Sequence, residues 1–428
     1  PIIINESALY VQERGNIVRD LLFDFNIDGL SGNDISIFAN HLFEGYELVD
    51  WCYQKVPNST VWAVRSDGKL LCLTYLREQQ VLAWSQHDLG GDGLVESCCS
   101  VSGDSEDQVY LIVKRNINGT TRKYVERLSP RFFHGAKLKS FKYSGVTMTR
   151  TYDDSTEVRI LDSFLSYDGR NTDLTKYVTI TGSGWTTEDT LTLTASAALF
   201  TSSDVGNSIF VYTPDGDLIR LEITGYTSST VVSVVPLKNV PASLQGISTS
   251  DYARAVDTIR GLWHLEGEDV AIYSDGFVDA SPNNPNYEKV TVTDGSITLN
   301  SNRAIVHVGL PFISDLQTLA IDTVQAETMI DKKIVIQEVT MSVEKTRGLF
   351  AGRKEPDDSV SYIDGLTEVK ARNDEGQTSP IAMKTGPCDV VIESDYSVAG
   401  SVFIRQVDPL PVTILSIHPA GNVPFRRG

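Results

Sequence analysis

The chain has no apolar run near the ~18 residues that a membrane-crossing helix needs, so no bilayer-spanning segment is expected. Cysteine is scarce. The five present, Cys52, Cys72, Cys98, Cys99 and Cys388, show no C-x-x-C spacing, which argues against a zinc site. Neighbouring Cys98 and Cys99 would point to opposite faces of a strand, and buried free thiols of a protein made in a cytosol are the expectation. Positive charge is also short. Lys plus Arg number 37 against 56 Asp plus Glu, a net charge of −19, the wrong sign for a broad grip on nucleic acid. Such a surface favours solubility and would repel DNA.

Catalytic motifs are missing as well. The histidines, His41, His87, His134, His264, His307 and His418, have no H-x-x-x-H spacing, and neither G-x-S-x-G nor a P-loop lysine motif occurs. His264 reads as a packed strand residue rather than a base. No short motif nominates a carboxylate pair for glycoside hydrolysis among the 56 acids. The chain is not expected to be an enzyme; no catalytic, cofactor-binding or metal residue is assigned. It opens Pro1-Ile2-Ile3-Ile4 without a basic region, initiator Met or cleavage site, so no secretory signal is visible, and a start inside a longer protein is expected.

What is present is strand patterning. At 428 residues the chain exceeds one growing core, so two to four domains are expected, and its 41% hydrophobic and 22% charged content is ordinary. Period-two runs recur, as in Val61-Trp62-Ala63-Val64, Val109-Tyr110-Leu111-Ile112-Val113, Tyr177-Val178-Thr179-Ile180 and Lys333-Ile334-Val335-Ile336. Between them stand Asp67-Gly68, Asp92-Gly93, Asp215-Gly216, Asp275-Gly276, Asp294-Gly295, Asp364-Gly365 and Asn118-Gly119, many of them expected hairpin turns with positive φ at both central positions. A strand pair about Gly15-Asn16 is expected within 10–22. The spacing predicts one helix over 35–43, capped by Asn33 or Asp34, with Ile35, Phe38, Ala39 and Leu42 on one face and Gly45 as its stop. A second helical turn is expected over 250–254.

The fold class expected is mainly β and multidomain, with partial β-propeller-like blades, an inserted small β-barrel and a C-terminal β-sandwich-like domain. Residues 1–162 form the propeller-like region and 163–250, rich in Thr, Ser and Gly, the inserted barrel. The β-rich core resumes over 251–321, where Leu262-Trp263-His264-Leu265 reads as a strand, and 322–428 form the C-terminal domain, ending in coil over 424–428.

Asp24-Phe25-Asn26-Ile27-Asp28-Gly29 matches the opening of a calcium loop, but position twelve is Ile35, which lacks the bidentate carboxylate. It reads as a solvated acidic turn. Asn58-Ser59-Thr60 and Asn118-Gly119-Thr120 read as polar turns. Trp84 and Trp185, if exposed, offer stacking surfaces for sugar rings.

Leu48-Val49-Asp50-Trp51, the run from Val61 through Ser66-Asp67-Gly68-Lys69-Leu70, Leu73-Thr74-Tyr75, Val81-Leu82-Ala83-Trp84-Ser85 and Tyr124-Val125-Glu126-Arg127-Leu128 resemble the tail hub and nozzle proteins of short-tailed bacteriophages. Gly261-Leu262-Trp263-His264-Leu265-Glu266-Gly267 and Val308-Gly309-Leu310-Pro311-Phe312 are similar to the same family. The insert, with Leu199-Phe200-Thr201 and Asp204-Val205-Gly206, resembles the small FCCH-type β-barrel named after a domain of ubiquitin-activating enzymes, a likeness of turn and core residues without ubiquitin chemistry. The resemblance implies a structural virion protein, assembled with itself as a ring, typically hexameric, beside portal, adaptor and other tail proteins. DNA would pass through it in ejection without specific binding, and the protein, made in the host cytoplasm, would reside in the virion tail. The alternative from the residues alone is a host-surface binding module for a glycan or outer-membrane protein.

Overall fold

Residues whose β-branched and aromatic side chains alternate with polar ones fold here as strands joined by short turns. The computed structural model describes residues 1–25, 28–129, 136–321, 323–324, 327–328, 333–370, 380, 382–393 and 400–422. Strands make up 55% of the described residues and helix 4%, so the fold is mainly β and built of several sheets. Two compact units result, Pro1–Arg131 and Phe132–Gly428. Among the described residues no helix is long and apolar enough to cross a membrane.

The first unit contains three antiparallel sheets that follow one another in sequence. β1 (Ile2–Ile4), β2 (Ser7–Val11), β3 (Val18–Asp24) and β4 (Gly29–Asp34) form one, in that order. β5 (Leu48–Gln54), β6 (Thr60–Arg65), β7 (Leu70–Leu76) and β8 (Val81–His87) form the next, and β9 (Leu94–Ser102), β10 (Asp107–Ile117) and β11 (Thr120–Arg127) the third. Along β6 every residue is buried, because the sheet is covered on both faces. Val61 and Ala63 join Ile4, Leu9 and Val18 of the first sheet in one core. Trp62 and Val64 join Val95, Val109, Leu111 and Val113 of the third in another. Asp20 accepts from Arg77 Nη1 at 2.8 Å, and Arg115 binds both Glu126 oxygens at 2.7 and 2.9 Å.

The second unit carries a ten-stranded path and smaller sheets. β12 (Ala136–Tyr143) and β13 (Val146–Asp153) form a hairpin, and β14 (Asp162–Asp168) lies in another sheet. β15 (Val178–Thr181), β16 (Leu191–Ala195), β17 (Ser208–Tyr212), β18 (Leu218–Ser228), β19 (Val231–Pro236), β20 (Ser248–Thr249) and β21 (Tyr252–Arg260) follow. With β22 (Asp269–Ser274), β23 (Phe277–Ala280), β24 (Val290–Thr291), β25 (Ser296–Arg303) and β26 (Ile305–Leu310), the two orders are β13-β12-β20-β15-β16-β19-β18-β17-β21-β25 and β14-β26-β22-β23, with β24 paired to β22. Val178, Leu193, Val211, Leu221, Val232 and Val234, all fully buried, share one core over the predicted insert. Ile259, Leu262, Leu265, Ile272, Val306 and Val308 share another.

β27 (Ser314–Gln317) is followed by the short pair β28 (Thr323–Val324) and β29 (Glu327–Thr328). β30 (Val335–Thr346), β31 (Leu349–Gly352), β32 (Thr367–Glu368), β33 (Lys384–Val391), β34 (Phe403–Gln406) and β35 (Ile414–Asn422) complete the chain in two sheets, β27-β34-β31-β32 and β33-β30-β35. Val339, Met341, Ala351, Val390 and Ile404 form one apolar cluster drawn from both. The coil expected over 424–428 lies outside the described residues.

The helix expected over 35–43 is not formed. The segment makes 3₁₀ turns over Ile37–Leu42, broken at Ala39 (φ −120°, ψ 25°). Asn33 and Asp34 sit in β4, registered with Asp20 and Arg19, so neither is free to cap a helix. Asp34 Oδ1 instead accepts from the Ser36 amide at 2.9 Å and from its hydroxyl at 2.7 Å, a local turn that competes with the helix. Ile35, Ala39 and Phe43 are buried, but Phe38 is fully exposed. The helical turn expected over 250–254 is also strand, since Tyr252 and Ala253 pair with Val211 and Phe210. Leu262-Trp263-His264-Leu265 is no strand; Trp263–Leu265 is a 3₁₀ turn, held where Leu262 N–H donates to Gly295 O at 2.9 Å.

Positive φ occurs at both turn residues of Asn118-Gly119, Asp275-Gly276 and Asp294-Gly295, and of the unanticipated Ser144-Gly145. At Asp67-Gly68 and Asp215-Gly216 only the glycine is left-handed. Asp92-Gly93 makes no hairpin because β8 and β9 belong to different sheets, and Asp364-Gly365 leads instead into β32. A Cβ on Gly93 would fall 2.6 Å from Arg115 Nη1, so a side chain there would have to displace the Arg115 guanidinium.

Candidate functional site

The sequence candidates disperse into structural roles. Trp84 and Trp185 are half-buried and packed on apolar cores, and Trp84 donates its indole N–H to Ile35 O at 2.9 Å. The expected exposure is therefore corrected: the exposed tryptophan is Trp263, at 66%. All five cysteines are free, with Cys98 buried and Cys99 exposed as strand alternation requires. Asn26 and Ile27 of the calcium-like hexapeptide lie outside the described residues. Among those described, no group of three His, Cys, Asp or Glu converges as a metal site. His264, in its 3₁₀ turn, bonds through Nε2 to Ser163 O at 2.9 Å.

His307 is the most buried of the described histidines. Its Nδ1 lies 2.7 Å from Ser166 Oγ and its Nε2 3.0 Å from Thr156 O. Because a carbonyl only accepts, Nε2 carries the proton and Nδ1 accepts from the hydroxyl, so the ring is bound as the neutral form. Burial, with Arg159 and Arg170 nearby, pushes it down from 6.5 to about 4. A group with its folded pKa depressed contributes stability that is full above about pH 6.5 and is lost as pH falls through 4. The loss is roughly 3 kcal/mol at 1.36 kcal/mol per unit. Denaturant unfolding at pH 7.5 and pH 4 should show this fall in the native protein and not in His307→Gln; parallel pH dependence in the two would overturn it.

A cleft of about 690 Å³, a size that suits small-molecule sites, lies in the second unit. The β12–β13 hairpin supplies Lys139, Arg150 and Tyr152. Phe210 and Tyr212 come from β17, and Leu218 and Arg220 from its partner β18. Asp275 and Phe277, from the β22–β23 turn, stand with Ile305 of β26. Two-residue turns at Ser144-Gly145 and Asp275-Gly276 project these side chains from rigid hairpins.

Within it, cations meet carboxylates. Asp251, with no side-chain exposure, lies 2.7 Å from Lys139 Nζ and 2.9 Å from Arg150 Nη2. The latter contact is an ion pair without hydrogen-bond alignment, since Oδ2 has no hydrogen-bond partner. Arg170 is gripped by Asp168 and Glu157; burial opposes its charge, but those carboxylates outweigh it and hold its pKa above the usual arginine value. Asp275 accepts the Ala304 and Ile305 amides at 2.9 Å each, yet burial still raises its pKa. Burial, then the charges of Asp275 and Asp251, raises the Tyr212 phenol. Arg150 stands over the Tyr212 ring at 4.8 Å and Arg220 over Phe210 at 5.2 Å. No sequence motif marked this cleft, because its residues come from segments up to 241 positions apart.

The first unit offers a different feature, the outer faces of its end sheets. On the first sheet Ile3, 74% exposed, stands on the face of Phe23 and its cross-strand partner Leu30. On the third, Ile112 and Val125, paired and 39% and 76% exposed, stand with Val101. A comparison with models of known protein families finds no match to the chain, and a search of curated proteins finds none.

Proposed function

We propose that the chain is a structural subunit of a bacteriophage tail, of the hub or nozzle kind, that works as part of a ring through which DNA is ejected. The observation that carries the reading is the succession of three up-and-down antiparallel sheets in the first unit, the middle one buried on both faces. A propeller is made of such sheets, each packed on the next. The apolar side chains on the two end faces are those that further blades or neighbouring subunits would cover. The separate core over 178–252 supports an inserted small barrel, and the two C-terminal sheets with one common core support a sandwich-like domain. A net charge of −19 suits a lumen that DNA passes without sticking. In this reading the protein acts by shape and charge, without turnover, beside portal, adaptor and other tail proteins in the virion. The host-surface alternative, which rests on the insert and on exposed aromatics, keeps the insert but has Trp84 and Trp185 half-buried on apolar cores.

Light scattering of the chain, alone and mixed with portal-proximal tail proteins, tests the reading. A mass of several copies, typically six, or a ring formed on mixing is the expected result. A monomer that ignores those neighbours at high concentration would overturn it.

A further inference from the structure

The cleft of the second unit holds more positive charge than its own carboxylates engage. Lys139 and Arg150 share Asp251, and Arg170 is held between Asp168 and Glu157. Two further cations line the cleft, Arg220 and Lys238, and neither forms an ion pair among the described residues. Asp275, which lines it too, accepts two backbone amides and lies within electrostatic reach of Arg220 without forming an ion pair to it. Beside these two cations, of which Arg220 stands over the Phe210 ring, are Leu218 and Leu237, and Phe277 and Ile305 complete the apolar surface.

A chain with 19 excess negative charges has little reason to leave two cations in an apolar-walled cleft unless an anion joins them. From this geometry we infer that the cleft binds a small organic monoanion, a carboxylate carried on an apolar ring or acyl body. Its charge lies against Arg220 and Lys238, and its body against Leu218, Leu237 and Phe277. Charge-assisted hydrogen bonds to guanidinium and ammonium supply orientation, and the apolar walls supply contact area for the body. A polyphosphate is disfavoured because Lys139 and Arg150 are already committed to Asp251, and the acidic surface repels multivalent anions. A sugar acid is disfavoured because its hydroxyls would meet leucine and phenylalanine without partners. The inference does not depend on the tail-assembly reading, since the cleft is lined by residues of a single chain.

Calorimetric titration of the full chain with 1-naphthoate tests it, with 1-naphthamide, glucuronate and inorganic phosphate as comparators. One saturable site for naphthoate is expected, with naphthamide weaker by about tenfold or more, the worth of a charge-assisted contact. Glucuronate and phosphate should bind far more weakly than naphthoate. Arg220→Gln should lose about tenfold for naphthoate while keeping its unfolding midpoint. Lys238→Gln, an exposed position that leaves the fold intact, should show a smaller loss in the same direction. Equal binding of the amide would overturn the anion site, and glucuronate or phosphate matching naphthoate would overturn the apolar body. Unchanged affinity in both folded variants, or no saturable binding at millimolar probe, would place no such site here.

Discussion

Trp62→Ala should destabilise the first unit by about 3–5 kcal/mol, the range for removing a large buried aromatic. Trp62 is 1% exposed, and its ring packs with Val64, Leu70, Cys72 and the inner residues of β9 and β10. Its indole N–H donates to Gln54 Oε1 at 3.0 Å, so truncation leaves a cavity and an amide oxygen that keeps only the longer 3.5 Å contact from Thr60 Oγ1. The ring also meets His87 edge-on at 5.1 Å. Because the middle sheet is covered on both faces, the site cannot collapse toward solvent, which places the cost high in the range. Trp62→Phe should recover more than half of the loss, as most of the volume returns while the hydrogen bond does not. Urea unfolding, read for the transition of this unit, measures both variants. A loss under about 1 kcal/mol for Trp62→Ala would mean that the β5–β8 and β9–β11 sheets do not share this core.

Asp251→Ala should cost the second unit a similar amount, about 3–5 kcal/mol, by a different mechanism. The carboxylate has no side-chain exposure, and its removal leaves Lys139 and Arg150, 17% and 12% exposed, without their countercharge. Breaking a buried pair from one side is costly because the stranded charge stays desolvated; replacing the partners together removes that penalty. Lys139→Met combined with Asp251→Leu should therefore cost less than the sum of the single changes, and the shortfall in the double-mutant cycle should exceed about 1 kcal/mol. Thermal unfolding of the four proteins measures it. Strict additivity would show that Lys139 and Asp251 do not interact in solution.

Much of the strand content was legible because a strand's side-chain period of two is local information. Val109, Leu111 and Val113 face inward while Ile112 faces out, as their spacing in the sequence requires. The turn chemistry was legible for the same reason, since Asn118-Gly119 and Asp275-Gly276 need only their own φ angles. The failures fall where a distant segment claimed a local group. Asn33 and Asp34 look like helix caps until β3 pairs with them, and 250–254 looks helical until β17 recruits Tyr252. Trp84 and Trp185 have the composition of exposed stacking residues, but nothing within a few positions announces the cores that take them in.

The cleft was not legible at all, for the same physical reason carried further. Lys139, Arg220 and Phe277 are unremarkable residues in three unrelated strands or turns, and only the pairing of hairpins brings them to one cavity. By itself, then, the sequence determined the mainly β build, the alternation of each strand, several of its tight turns and the acidic surface, all of which depend on neighbours along the chain. Tertiary structure alone decided which sheets bury both faces, which carboxylates hold which cations, and where two cations are left beside an apolar wall. Those outcomes depend on contacts between residues far apart in sequence, whose cost of being brought together is met only by the packed core.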